Sequence, residues 1–301
     1  MTIRKQRSRK IRRRAGASVQ GSPWGGGDPT KPRDTAPREA RPRRHSPEPT
    51  AEGLWLYGHH AVSAALANPA RRCHRLIGTT QAIESLHQSL GDDLGRHDDM
   101  TGDDLTGSLP VTAASRGEVG ALLTEGAVHQ GVAMEVSALP ATALDAVCHP
   151  DATSRLVVLD RVNDPQNLGA VLRVAAAFEA SAVIVPDRHA PGESGALAKA
   201  ASGTLEIVPL VRVPNVAQAL ERLKQDGYWC IGLDGGAANT SAQSRPAGAT
   251  ALVLGAEGDG LRRLTRERCD ALARLPISDK VESLNLATAA AVALYALTND
   301  A

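Results

Sequence analysis

Residues 251–261 read ALVLGAEGDGL, in which an apolar stretch typical of a buried strand runs directly into a turn with three glycines. The turn matches neither G-x-G-x-x-G nor G-x-x-x-x-G-K-[ST], so the common dinucleotide and triphosphate sites are not indicated. It has no lysine, and Glu257 and Asp259 would repel a polyphosphate. The two carboxylates suit a positively charged cofactor, or a ribose hydroxyl, better than they suit a phosphate. A plain turn between strand and helix would also explain the glycines.

The pattern of strand, polar loop and helix recurs throughout the C-terminal half. Strands that alternate with helices predict an α/β fold with a parallel sheet covered on both faces. Ligands of such sheets bind beyond the carboxyl ends of the strands, which directs attention to the loops after residues 160, 255 and 277. The strand candidates are RLVVLD (155–160), SAVIV (181–185), LEIVPLV (205–211), YWCIGLD (228–234), ALVLG (251–255) and ARLPI (273–277), and helical patterns cover 168–179, 215–226 and 285–297.

The loop after residue 160 belongs to DRVNDPQNLGAVLRVAAAF (160–178). Asn167 precedes a predicted helix that starts near Leu168, so its side chain could cap that helix. Arg173 lies further along the helix among alanines and valines. An arginine in such an apolar stretch is usually either paired or functional.

The last loop belongs to RLPISDKVESLNLATAAAVALYAL (274–297). Ser283 and Asn285 lie at the entrance of a predicted Ala-rich helix, where their side chains can accept bonds from free N–H groups. The small alanine side chains would let another backbone approach closely. A capped helix packed in a core would explain most of the same pattern.

The stretch from residue 54 to 137 has the composition of a smaller globular unit. It predicts a helix from about His59 to Ala67, a strand in CHRLIGT, a second helix in AIESLHQSL and a closing strand in AVHQGVAMEVS. Residues 91–108 are polar and acidic, as surface loops often are. We divide the chain into a tail (1–52), a small N-terminal domain (53–137), a linker (138–153) and a C-terminal domain (154–301).

The first 50 residues differ sharply in charge from the rest. They contain 14 Lys/Arg and 4 Asp/Glu, a net charge of +10, so the remaining 251 residues carry −9. The segment is rich in Arg, Pro, Gly and Ser, which predicts disorder, because it cannot bury enough apolar surface to offset its entropy. A basic arm of this kind attracts RNA phosphates. A merely solvated tail and an organellar transit peptide remain alternatives.

The overall composition argues against several classes of protein. Three Trp, three Tyr and one Phe are too few for a protein that reads single strands mainly by stacking. Four cysteines without a C-x-x-C pair indicate neither a zinc site nor a disulfide framework, and they suit the reducing cytoplasm. No metal is expected. The sequence contains no apolar run of about 18 residues, so no membrane span is predicted.

Three segments, in this order, resemble the signature motifs of the SpoU/TrmH family, 2′-O-ribose methyltransferases of the SPOUT class. NDPQNLGAVLR (163–173) is similar to motif 1, LVLGAEGDGLR (252–262) to motif 2, and LPISDKVESLNLATAAAVAL (275–294) to motif 3. The resemblance covers residues 54–298. LYGHHAV and EGAVHQGVA resemble the two ends of a small RNA-binding domain in the branch that methylates guanosine in large-subunit (23S) rRNA.

This resemblance implies that S-adenosylmethionine is the cofactor and that the backbones of motifs 2 and 3 hold it. It further implies a C-terminal trefoil knot, RNA as the partner, and a homodimer with helix 285–297 at or near the interface. The implied cofactor contacts are Gly255, Ala256, Leu275, Ile277, Leu284 and Asn285.

The resemblance also implies a catalytic group with Arg173 at its centre. Neutral arginine is very scarce because of its high pKa. Arg173 therefore either removes the proton of the ribose 2′-hydroxyl or, as a cation, holds the adjacent phosphate and stabilises the developing alkoxide. The other implied members of the group are Asn167, Glu257, Ser283 and Asn285.

Three other functions stay open at this point. The same reaction on tRNA is one, although the tRNA branch usually lacks the domain that residues 53–137 resemble. A non-catalytic RNA-binding or ribosome-assembly protein is the second. A Rossmann-type dehydrogenase is the third, and the absence of its glycine fingerprint disfavours it.

Overall fold

The computed structural model describes residues 53–90, 109–241, 243, 247–278 and 280–298. The predicted basic tail and the acidic stretch 91–108 lie outside the described residues, and what they do stays a prediction. From residue 51 onward the chain forms one compact unit with two β-sheets. Within the described ranges, no helix is long and apolar enough to cross a membrane.

Within residues 53–90 and 109–137, the N-terminal sheet has four strands and three accompanying helices. The strands are β1 (Leu54–Tyr57), β2 (Cys73–Gly78), β3 (Val111–Ala113) and β4 (Val132–Val136), and the helices are α1 (His59–Ala67), α2 (Thr80–Leu90) and α3 (Arg116–Ala121). The spatial order is β1-β4-β2-β3, with β4 antiparallel to both neighbours and β3 parallel to β2. The predicted helix at 59–67 is confirmed. The short elements β1, β3 and α3 gave too little periodicity to be recognised in the sequence.

In the described part of the chain, the C-terminal sheet has seven strands, and every pairing between them is parallel. The strands are β5 (Arg155–Leu159), β6 (Ala182–Pro186), β7 (Leu210–Val213), β8 (Trp229–Leu233), β9 (Asn239–Thr240), β10 (Thr250–Leu254) and β11 (Ala271–Arg274). They are arranged in the order β7-β6-β5-β10-β8-β11-β9. The predicted α/β fold with a parallel sheet is confirmed.

Helices cover both faces of the C-terminal sheet. They are α4 (Pro165–Ala177), α5 (Gly195–Ala201), α6 (Val216–Gln225), α7 (Arg263–Arg268) and α8 (Leu286–Thr298). Val157 and Leu159 of β5 belong to the hydrophobic cluster that includes α4, α5 and α8, whereas Leu156 and Val158 belong to the cluster with α6. Because side chains of a strand alternate between faces, this division shows that β5 is buried on both sides.

Two predicted strands have different bounds in the structure. Over residues 205–211 the chain first forms a 3-10 turn at Thr204–Glu206, and β7 begins only after Pro209. The strand predicted over 273–277 is β11, which ends before Pro276. Proline has no N–H to donate to a strand ladder, and so both prolines lie outside the paired residues.

A buried arginine joins the N-terminal half to the C-terminal half. The Arg71 side chain has no exposed surface and forms ion pairs with Glu206, at 2.6 Å between Nη2 and Oε1, and with Glu193. Asn68 also donates to Glu206, at 2.8 Å. Charges held away from water depend on one another, so separating these groups would be costly. These contacts hold the two halves together.

The segment 138–153, predicted as a linker, runs along the C-terminal sheet. Leu139 donates its N–H to Glu193 at 3.0 Å, and Thr142 forms an isolated parallel bridge with Val211. At the start of α5, a Cβ on Gly195 would lie 2.3 Å from the carbonyl oxygen of Trp55 in β1. One hydrophobic cluster extends across both halves. These contacts do not test the boundaries predicted at residues 137 and 153, which stay a prediction.

Candidate active site

A pocket of about 480 Å³ lies at the carboxyl ends of β8, β10 and β11. This is the edge at which parallel sheets bind ligands. Its wall consists of the glycine turn after β10 and of the segment between β11 and α8. The implied cofactor contacts that line it are Gly255, Ala256, Leu275, Ile277 and Leu284, and the implied catalytic residues that line it are Glu257 and Ser283.

The glycine turn after β10 is closed tightly by its own backbone. Ala256 and Gly260 exchange hydrogen bonds of 3.1 and 3.0 Å, which form a small antiparallel bridge. A Cβ on Gly255 would lie 2.0 Å from the carbonyl carbon of Gly260. Gly258 and Gly260 have φ values of 79° and 65°, in the left-handed region that glycine adopts without strain. Glycine at these positions therefore shapes the wall of the pocket.

Three predicted catalytic residues form a hydrogen-bonded triangle beside the pocket. Asn285 Nδ2 donates to Glu257 Oε1 and to Asn167 Oδ1, both at 2.9 Å. Asn167 Nδ2 also donates to Glu257 Oε1, at 3.3 Å. The backbone N–H of Leu286 donates a third bond, of 2.9 Å, to Glu257 Oε1. Glu257 Oε2 has no partner among the described residues and is left to contact a ligand.

Helix capping explains why the two asparagines reach this triangle. Helix α4 begins at Pro165 and is capped by Asp164, whose carboxylate accepts from Gln166 N at 2.9 Å. The suggestion that Asn167 caps this helix is therefore wrong. The side-chain amide of Asn167 bonds to Glu257 instead. Asn285 does act as a cap: its Oδ1 accepts from Ala287 N at 3.0 Å at the start of α8.

Arg173 is exposed on α4 and makes no hydrogen bond or ion pair with any described residue. Of the two alternatives raised for Arg173, paired or functional, pairing with a described residue is therefore wrong, and the functional role stays a prediction. The apolar neighbours of Arg173 in the sequence lie on the opposite side of the helix, where they face the core. Arg173 does not line the pocket. The buried residues of α4 are Leu168, Gly169, Val171, Leu172 and Ala175.

Ser283 lies exposed on the pocket wall and does not cap α8. In the described structure its hydroxyl has no partner, whereas Asn285 fills the capping position. Ile277 is also exposed, by 38% of its surface, although it is a large apolar residue. An uncovered hydroxyl and an uncovered apolar side chain on one wall are typical of a site that binds a partly apolar ligand.

A second network holds the glycine turn to strand β5, and the sequence did not reveal it. Asp160 has a fully buried side chain and accepts from Arg262 Nε at 2.8 Å, from Arg262 N at 2.7 Å and from the Thr265 hydroxyl at 2.7 Å. On the surface nearby, Arg161 pairs with Asp259 at 2.9 Å. These bonds connect both sides of the turn to the chain that leads into α4. A single acidic residue at a strand end gave no signal by itself.

The charges on the pocket wall favour a ligand with positive charge and hydroxyl groups. Asp234, Glu257 and Glu282 line the pocket, and Arg274 is the one basic residue among the described lining residues. Such a wall can accept hydrogen bonds from ribose hydroxyls and attract a sulfonium or ammonium group. No group of three or more potential metal ligands occurs among the described residues.

The cysteines are unsuited to nucleophilic catalysis. Burial raises the pKa of Cys230 and of Cys269 to about 12, which leaves both thiols protonated at neutral pH. Burial also raises the pKa of Cys73 and Cys148 to about 11. None of the four lines the pocket.

Sequence comparison finds relatives over most of the chain. The SpoU rRNA Methylase family profile matches residues 154–295. The chain is 37% identical to the 23S rRNA (guanosine-2′-O-)-methyltransferase RlmB of Pasteurella multocida, over 81% of this chain and 97% of that protein. It is 40% identical to the RlmB protein of Pseudomonas aeruginosa, over 80% and 94% of the two chains.

Solved structures share the fold described above. The SpoU methyltransferase AviRb from Streptomyces viridochromogenes has a TM-score of 0.65 at 22% identity, covering 81% of this chain and 88% of its own. An rRNA methyltransferase from Sinorhizobium meliloti has the same TM-score and identity, covering 81% and 86%. Given the parallel sheet, the three motifs and the extent of these alignments, the chain belongs to the SpoU rRNA methylase family.

Proposed function

We propose that this protein transfers a methyl group from S-adenosylmethionine to a ribose 2′-hydroxyl, on a guanosine of 23S rRNA. The observation that carries the proposal is the triangle of Asn167, Glu257 and Asn285 at the edge of the pocket. Three separate segments of the chain meet there. The RlmB relatives, whose names state this reaction, support the choice of substrate.

The pocket suits S-adenosylmethionine in charge and shape. The acidic residues Asp234 and Glu282 are placed to receive hydroxyl and ammonium groups, and Leu275 and Leu284 offer apolar contact to an adenine ring. The close approach of Gly255 to Gly260 leaves the turn without side-chain bulk. When bound, S-adenosylmethionine supplies an electrophilic methyl group. In our proposal, Ala256, Ile277 and Asn285 also contact the cofactor.

The polar residues beside the pocket would act on the ribose. Glu257 is held by bonds to one oxygen, so its free Oε2 can orient the 2′-hydroxyl or accept its proton. Ser283 offers a hydroxyl from the pocket wall. Arg173, exposed and without a partner, is available to hold an RNA phosphate and stabilise the developing alkoxide.

Mapping the methylated nucleotide tests this function. The full chain is incubated with 23S rRNA and S-adenosylmethionine labelled in the methyl group. We expect incorporation at one guanosine and resistance of its 3′ phosphodiester to alkali, because a 2′-O-methyl group removes the internal nucleophile. Glu257→Gln should abolish incorporation, whereas Glu267→Gln, which removes an exposed surface charge, should not.

The other outcomes of this experiment identify the competing functions. Label in tRNA and not in rRNA would assign the tRNA reaction. A chain that binds rRNA but fails to bind S-adenosylmethionine in calorimetry would be a non-catalytic RNA-binding protein. Label in a nucleotide whose 3′ phosphodiester is still cleaved by alkali would indicate methylation of the base instead.

We also propose a homodimer that pairs through α8. Val292 and Tyr295 on this helix are large and apolar in part, yet 42% and 61% exposed. Exposed apolar residues on one helix favour contact with another chain. We expect sedimentation to show a dimer at micromolar concentration and Val292→Glu to shift it to monomer. A wild-type protein that stays monomeric there would refute this proposal.

Four further features belong to the proposal as predictions. They are the trefoil knot, the RNA-binding role of residues 53–137, the contact of the basic tail with RNA, and a cytoplasmic location. The family relationship supports the first two. The net charge of +10 in residues 1–50 supports the third, and the unpaired cysteines support the fourth.

A further inference from the structure

A second pocket, of about 460 Å³, lies on the N-terminal half of the protein. It opens where the first turns of α1, α2 and α3 meet the loop that precedes β4. Among the described residues, none of the side chains that line it is a carboxylate, although residues 51–301 carry a net charge of −9. The lining residues are His59, Thr79, Gln81, Ala82, Ser85, Arg116, Gln130 and Val132.

His59 brings a buried ring nitrogen without a partner to this pocket. Its Nε2 lies 3.2 Å from the Ser85 hydroxyl, whereas its Nδ1 is buried and has no hydrogen bond. Burial lowers the pKa of His59, and the nearby charges of His60 and Lys199 lower it further, so the ring is neutral at neutral pH. A buried polar atom without a partner is costly, so its presence in a residue that lines the pocket calls for a compensating role there.

Gln130 presents a second unused polar group under backbone strain. Its φ is 56°, a left-handed value that is uncommon for a residue other than glycine. Its Oε1 accepts from Lys199 Nζ at 2.6 Å and from His59 N at 3.2 Å, which fixes the amide group. The amide nitrogen Nε2 has no partner in the described structure. Strain of this kind is concentrated at ligand sites.

Arg116 supplies the positive charge of this pocket. It is exposed and forms no ion pair with a described residue. The backbone at this position is fixed, because Ser115 and Glu118 form a capping box at the start of α3. The pocket therefore combines fixed hydrogen-bonding groups with one free guanidinium, which suits a polar ring next to a phosphate.

We propose that this pocket binds one unpaired nucleotide of the RNA, with its base toward His59 and Gln130 and its phosphate near Arg116. The inference rests on the proposed function, because it assumes an RNA substrate. A base within a duplex presents only its groove edges, so a pocket of this size requires a nucleotide outside the helix. None of the lining residues that the structure describes is Phe, Tyr or Trp, so hydrogen bonds rather than stacking would select the base.

Binding of a mixed-sequence, single-stranded oligoribonucleotide to the full chain tests the pocket. We expect Arg116→Ala to weaken binding about 10-fold, the effect of one charged hydrogen bond. It should also reduce the slope of log affinity against log salt by about 0.7. Gln130→Ala should weaken binding without changing that slope. Arg72→Ala is the matched control, since Arg72 is also exposed and lies outside the pocket.

Two results would overturn the inference. One is equal binding by Arg116→Ala and Arg72→Ala, and the other is equal binding of the oligonucleotide and of its annealed duplex by the wild type. Methyl transfer to 23S rRNA is measured on the same samples. If the wild type transfers no methyl group, the proposed function fails; if it does while Arg116→Ala and Arg72→Ala have equal KM for rRNA, only the pocket fails.

Discussion

Replacing Arg173 with alanine should lower the rate of methyl transfer at least about 100-fold, while cofactor affinity and thermal stability stay unchanged. The expected loss reflects removal of a cation that stabilises negative charge as the 2′-oxygen attacks. Stability should not change, because Arg173 is exposed on α4 and has no partner in the described structure. Cofactor affinity should not change either, because Arg173 does not line the cofactor pocket.

Single-turnover kinetics, calorimetry with S-adenosylmethionine and thermal unfolding together test this expectation. Arg173→Lys keeps the charge but loses the planar donor group, and we expect it to be largely inactive. Arg268→Ala removes an exposed arginine whose ion pair with Glu221 is superficial, and it should behave as wild type. A stable Arg173→Ala protein with near wild-type rates would exclude this residue from the reaction.

Replacing Gly255 with alanine should abolish binding of S-adenosylmethionine at concentrations that saturate the wild type. The new Cβ would lie 2.0 Å from the carbonyl carbon of Gly260 and 2.4 Å from the N of Leu261. Both atoms belong to the backbone, so no side chain can move aside. The Ala256–Gly260 bridge would have to open, and the pocket wall would change shape.

Calorimetry and thermal unfolding measure the two consequences of Gly255→Ala separately. We expect loss of the binding signal with a fold that remains intact, because the strained contact lies at the edge of β10. Gly248→Ala is the control, because a Cβ there would meet no described residue within 4 Å. Unchanged cofactor affinity in Gly255→Ala would show that the turn is not part of the cofactor site.

Periodicity in the sequence predicted the C-terminal sheet well, because its strands are buried on both faces. Continuous apolar runs such as RLVVLD and ALVLG have few other interpretations. The resemblance of the glycine turn and of the segment before α8 to family motifs implied several of the residues that line the pocket. Short elements were missed: β1, β3 and α7 contain three to six residues, too few for a periodic signal.

Side-chain partners were predicted less well, because they depend on contacts distant in sequence. The sequence left a capping role open for Asn167, but Asp164 caps the helix and Asn167 meets Glu257, 90 residues away. Arg173 was judged by its apolar neighbours in sequence, which lie on another face of the helix. The bonds of Asp160 to Arg262 span 102 residues. Local patterns carry no information about such pairs.

The buried ion pairs of Arg71 with Glu206 and Glu193 have a consequence for how the protein would select its target in the RNA. Because these ion pairs and one continuous hydrophobic cluster hold the two halves together, we expect the distance from the His59 pocket to Glu257 to vary little. An RNA that occupies both places must present its unpaired nucleotide and its target ribose at that one separation. The distance between these two nucleotides in the folded RNA, and not only the identity of the target base, would then decide which guanosine is methylated.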